Sequence, residues 1–153
     1  MKKIWIAILL MVCMVKLNAE EAGKPQIRLQ VEMADAEVNP LGIQQKTMFT
    51  DLLTKLVQSN VPVGEDAQNP LLLFRLKSIE VGDTVIAFVQ LAYFEQAELE
   101  RNKSMVMAMT WSQATLVTTS KKEFAASVAS TAMSMCSAFT LEYHKVFSMP
   151  QPK

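Results

Sequence analysis

The feature that most constrains this chain is a single apolar stripe near its C-terminus. Phe124, Val128, Ala132, Met135, Phe139, Tyr143 and Val146 recur every three or four residues, and Pro150 forbids continuation. Ser120 and Glu123 stand at capping-box spacing, which sets the expected helix start at Ser120. A helix that is apolar along one side must bury that side against another element. The partners have to come from upstream.

Gln26 to Met33 alternates, with Ile27, Leu29, Val31 and Met33 opposite Gln26, Arg28, Gln30 and Glu32. That period of two predicts a half-buried strand. After Asn39-Pro40-Leu41-Gly42, a helical spacing follows in Met48, Phe49, Leu52, Leu53, Leu56 and Val57, stopped by Asn60 and Pro62. Leu71 to Val81 reads as a second strand, with Leu72, Phe74 and Leu76 sharing a face. Gly82-Asp83 then turns a hairpin into a third strand, Thr84 to Gln96. Val85 to Val89 is apolar on both faces, which predicts a central position for that strand. Met105 to Trp111 reads as a fourth strand with Met105, Met107, Met109 and Trp111 on one face. Residues 112–119 show no period that assigns them. The order strand, helix, three strands, helix predicts an α+β fold. It is read as a two-layer sandwich, with a mainly antiparallel four-stranded sheet and two helices on one face.

The N-terminus carries a different instruction. Lys2 and Lys3 precede an unbroken apolar run from Ile4 to Val15, and Leu17-Asn18-Ala19 offers a cleavage site. This is the layout of a secretory signal peptide, residues 1–19, ahead of a single domain over 20–153. Lys16 ends the run short of the roughly 20 apolar residues that a spanning helix needs. No transmembrane helix is therefore expected in the mature form. Cys13 follows bulky Val12 rather than a small residue, so a lipid-modified Cys13 is not expected. The expected location is the periplasm.

Removing 19 of the 153 residues leaves 134, with twelve basic against fifteen acidic side chains, a net charge of −3. A mildly acidic surface with no basic cluster argues against a nucleic-acid partner, because phosphate neutralisation dominates that affinity. Cys136 is then the one remaining cysteine, so no disulfide forms within the mature chain. Stability rests on the core, which is feasible at this length.

Candidate chemistry is thin. His144 is the only histidine, beside Tyr143 near the end of the last helix, where the helix dipole favours a cation. It lies eight positions from Cys136, about 12 Å along a helix axis, which is too far for a thiol–imidazole pair. Asp35 and Glu37, and Glu95, Glu98 and Glu100, are acidic clusters with no calcium-loop frame. One Cys and one His do not make a zinc site without carboxylates. The methionines are the odd count. Met105, Met107 and Met109 on the fourth strand, with Met133, Met135 and Cys136 on the last helix, would converge as soft Cu(I) ligands if strand face met helix; otherwise they are core filler. Tyr93 and Phe94 point to opposite faces of the third strand, and with Trp111 they are the candidate docking aromatics.

Several of these pieces resemble a known pattern. Arg101-Asn102, Ala108-Met109-Thr110-Trp111 and Phe139-x-x-x-Tyr143, in this element order, are similar to a family of small exported bacterial proteins with no assigned activity. The segment after Trp111, Gln113-Ala114-Thr115-Leu116-Val117, departs from the Gly-rich one of that family. The resemblance implies an exported α+β domain and brings no catalytic residues.

The expectation from sequence is a non-catalytic interaction module of the cell envelope, needing no cofactor. It would bind an envelope protein or a small apolar ligand. A copper-binding protein and a periplasmic hydrolase are the alternatives. Mass spectrometry of the exported protein should give a chain beginning at Glu20; a palmitate-labelled species starting at Cys13 would contradict this reading.

Overall fold

The computed structural model describes residues 24–33 and 41–147. The signal segment, Asp35 and Glu37 lie outside the described residues. Strand β1, Arg28–Met33, leads by way of helix α1, Gln45–Gln58, to strand β2, Leu71–Val81. The intervening helix lets β2 return parallel to β1, pairing Arg28 with Leu71 and Met33 with Leu76. Strand β3, Thr84–Glu98, and strand β4, Met105–Ser120, follow antiparallel, in the sheet order β1-β2-β3-β4. Helix α2, Phe124–Phe147, is the last of the described elements. The fold is α+β, and the sheet is mixed, because the first connection is a helical crossover and only the later two are hairpins.

Local chemistry accounts for the joints. Gly82 has a φ of 62° at the first central position of the two-residue β2–β3 turn, a conformation that costs glycine nothing. Asn60 sits at φ 55° just past α1, where the Val61 amide donates to Leu56 and the Asn60 amide to Val57. These two bonds form a Schellman cap, and buried Val61 and Leu56 supply its apolar contact. Helix α2 starts later than its capping-box spacing suggests. Ser120 is the last residue of β4, and the Ser127 amide donates to the Glu123 carbonyl, which makes Glu123 the N-cap.

The core lies between the sheet and the two helices. Leu72, Phe74 and Leu76 of β2 and Val85, Ala87, Val89, Leu91 and Tyr93 of β3 face α2's Phe124, Val128, Ala132, Met135 and Phe139. From α1, Met48, Leu52 and Leu56 complete it, while Phe49 and Val57 of the expected stripe stay exposed. Helix α2 passes by length and composition for a membrane-crossing helix, but its apolar stripe is spent on this core. Strand β3 is central by pairing, and on its far face Phe88 is 38% exposed whereas Ala92, paired with Leu73, is buried.

One irregularity reorganises β4. Tyr93 pairs with Trp111 but Phe94 pairs with Met109, leaving Thr110 as an extra residue in a β-bulge. A one-residue shift exchanges the faces of a strand. Before the bulge, Met105, Met107 and Met109 therefore share a face with Glu98, Gln96 and Phe94, away from the helices, and all three are about half exposed. Past it, Trp111 lies with Tyr93 on the helix side. The strand continues through residues 112–119, largely exposed because β4 is a sheet edge. The reading of Met105, Met107, Met109 and Trp111 as one face is thus corrected, as is the inward placing of the strand methionines.

The two kinds of methionine give opposite mutational responses. In urea unfolding, Met135→Ala should cost about 2–5 kcal/mol, the range for a buried methionine. Met107→Ala should cost no more than about 0.5 kcal/mol, the range for a surface change.

Candidate functional site

The bulge and the last turns of α2 build one pocket. Trp111 and Tyr93, side by side on paired strands, both reach Phe139, with ring centroids 5.4 Å and 5.2 Å away. Helical spacing of four puts Tyr143 and Phe147 in the same row, with centroids 5.9 Å from Phe139 to Tyr143 and 4.8 Å from Tyr143 to Phe147. Pairs at these separations gain energy beyond simple burial. The Tyr143 hydroxyl donates to the Pro25 carbonyl at 2.7 Å, which anchors the chain ahead of β1 to α2. Together with Glu95, Thr110, Glu142 and Val146, these rings line a cavity of about 300 Å³. That is the small end of the range for ligand sites.

The polar groups of the cavity are few. Thr110, the bulge residue, donates its hydroxyl to the Glu95 carboxylate at 2.8 Å. Glu142 has the Lys145 ammonium 3.6 Å away on the exposed side of α2. The Tyr93 hydroxyl is buried beside the Glu95 carboxylate, in a residue only 5% exposed. Burial pushes that phenol well above its usual range, and the nearby Glu95 charge pushes in the same direction.

Two of the three candidate aromatics, Tyr93 and Trp111, meet here, and Phe94 does not. Phe94 lies on the opposite face of β3, half-buried beside Met109. The soft-metal candidates are not brought together. Met105, Met107 and Met109 lie on the side of the sheet away from the helices, whereas Met135 and Cys136 are buried against its other side and Met133 packs at the edge of the core. Among the described residues, no group of three or more His, Cys, Asp or Glu side chains is placed to hold a metal ion.

His144 has a structural task. Its Nε2–H donates to the Ser59 carbonyl at the end of α1, and Nδ1 accepts from the Lys24 ammonium at 3.3 Å. The ring thereby ties the ends of the two helices together as a neutral tautomer, a role that the helix-dipole argument does not anticipate. Phe139, Tyr143 and Phe147 line the cavity; the stripe reading assigns the first two to the core and does not include Phe147. Their spacing of four at the end of the helix was the available signal. Glu95 and Thr110 had none, because their meeting depends on the bulge.

No family model matches the chain, and no curated protein matches it. Among solved structures it is similar to a minor lipoprotein from Acinetobacter baumannii, at 10% identity and a TM-score of 0.46, covering 84% of this chain and 97% of that one. It is also similar to a PelC dodecamer from Paraburkholderia phytofirmans, at 14% identity and a TM-score of 0.43, covering 79% and 88%. Likeness at this level assigns neither fold nor function.

Cys136 lies one turn before Phe139 on α2, fully buried. Burial pushes its thiol from 9.0 up to about 11, partly offset by the Lys55 charge. Unfolded chains ionise this thiol first as pH rises, so its contribution to stability is complete below about pH 9 and is lost toward pH 11. A disulfide reagent at pH 8 should label Cys136 only in denaturant. Fast labelling of the native protein would contradict its burial.

Proposed function

We propose that this chain is an exported, non-catalytic binding module of the bacterial cell envelope, and that its site is the aromatic cavity at the Thr110 bulge. The observation that carries this reading is the meeting of Trp111 and Tyr93 with Phe139, Tyr143 and Phe147 around about 300 Å³ of space. A wall of rings with a few polar groups is the ordinary make-up of a small-molecule site. The N-terminal signal supports export, and the low-energy placements of His144 and Cys136 support the absence of nucleophilic chemistry. Cys136 has a raised pKa and is buried, and His144 has both ring nitrogens engaged. A hydrolase would need a base free to reach a nucleophile. Nothing in the placement of the methionines favours the copper reading.

Cleavage after Ala19 removes Trp5 and leaves Trp111 as the single tryptophan, in the cavity wall. Intrinsic fluorescence therefore reads the site directly. Small aromatic or aliphatic probes should change Trp111 emission saturably. Val146→Phe, which fills the cavity from its rim without adding a second tryptophan, should weaken their binding by about tenfold or more, as expected for loss of a pocket contact of about 1.4 kcal/mol. A linear, non-saturating response to every probe would contradict the proposal.

A further inference from the structure

We infer that the cavity takes a small organic cation, a methylated ammonium compound of the choline class; this rests on the binding-site reading above and specifies its ligand. The walls carry charge of one sign only. Among the described residues, Glu95 and Glu142 are the ionisable side chains lining the cavity besides the two tyrosines, and no lysine, arginine or histidine lines it. A neutral apolar ligand would gain nothing from two carboxylates, and an anion would be repelled by them. A cation is drawn by both.

The rings narrow the class further. Trp111, Phe139, Tyr143, Phe147 and Tyr93 form a continuous chain of neighbouring faces and edges. The negative π-face of an aromatic ring attracts a cation, most strongly for Trp, and cages of such rings suit quaternary ammonium groups. A primary ammonium carries three N–H donors that require acceptors, and a largely aromatic wall leaves them short. Methyl groups on nitrogen remove those donors and pack against rings. The acceptors present are therefore placed for charge more than for directed hydrogen bonds.

The Tyr93 hydroxyl points to the same occupant from a separate direction. It is a polar atom on the cavity lining, in a residue nineteen-twentieths buried, and it lies beside the Glu95 carboxylate. A ligand with a hydroxyl two carbons from its ammonium, as in choline, reaches the Tyr93 oxygen as a hydrogen-bond acceptor while its charge faces Glu95. Thr110 holds that carboxylate by its 2.8 Å hydrogen bond, and Thr110 is in the cavity because of the bulge.

The test is a titration of the mature protein with choline chloride, read by Trp111 fluorescence and calorimetry. Its controls are the neutral isostere 3,3-dimethylbutan-1-ol and the zwitterion glycine betaine. The expected result is saturable binding of choline, about tenfold or more weaker binding of the neutral isostere, and weaker binding still of betaine, whose carboxylate meets Glu95 and Glu142. Glu95→Gln should weaken choline by about fivefold or more and leave the neutral isostere unchanged, and its unaltered melting curve excludes misfolding. Tyr93→Phe should weaken choline more than tetramethylammonium, which lacks the hydroxyl. Equal binding of choline and its neutral isostere would overturn the inference and leave the binding site standing. Binding of other probes at Trp111, with no response to choline, would do the same. Sedimentation with phosphatidylcholine vesicles, but not phosphatidylglycerol vesicles, would assign the headgroup of a lipid as the source; binding of free choline alone would assign a soluble one.

Discussion

Phe139 is the point at which the two layers of this protein are locked. Its ring touches Tyr93 on β3, Trp111 on β4 and Tyr143 one turn further along its own helix. Helix α2 is thereby seated on the two longest strands at the one place where their pairing is irregular. Upstream, the stripe from Phe124 to Met135 packs on a dry core; downstream, the same stripe opens into a cavity. The contact is thus both the end of the core and the floor of the site. Because Phe139, Tyr93 and Tyr143 are themselves buried, the domain keeps a pocket beside its core without opening that core to water.

The bulge makes that division possible. A regular β4 would send Trp111 and the three methionines to one side, and either the methionines would crowd α2 or Trp111 would face solvent. Inserting Thr110 as an unpaired residue lets Trp111 turn inward while Met105, Met107 and Met109 turn out. The inserted residue is then reused, because its hydroxyl orients Glu95 at the cavity wall. Structure and site depend on the same extra residue.

Much of the architecture is legible from residue periodicity. Leu71–Val81 and its Gly82-Asp83 turn are found where alternation and turn chemistry put them, and α1 ends at Asn60 for the reason its sequence offers. The parallel pairing of β1 with β2 follows from the helix between them, though alternation within a strand says nothing about direction. The end of β4 was illegible because the strand is a mostly exposed edge, where burial imposes no period on Gln113 to Thr119. The bulge was illegible for a subtler reason. Met105, Met107, Met109 and Trp111 keep a strict spacing of two, and that spacing is equally consistent with an unbroken face or with one that reverses at an inserted residue. Half of the site, Glu95 and Thr110, was hidden with it. The aromatic half, Tyr93, Trp111 and the Phe139-Tyr143 pair, was in view as separate pieces, with nothing in one sequence to say that they meet.

The most direct measurement of this account is methionine-methyl NMR of the mature protein in the presence of a water-soluble nitroxide. The account predicts strong broadening of the Met105, Met107 and Met109 methyl signals, on the solvent side of β4, with those of Met48 and Met135 protected. Protection of the three strand methionines together with Met135 would mean that β4 runs without its bulge, and the cavity as described would not exist.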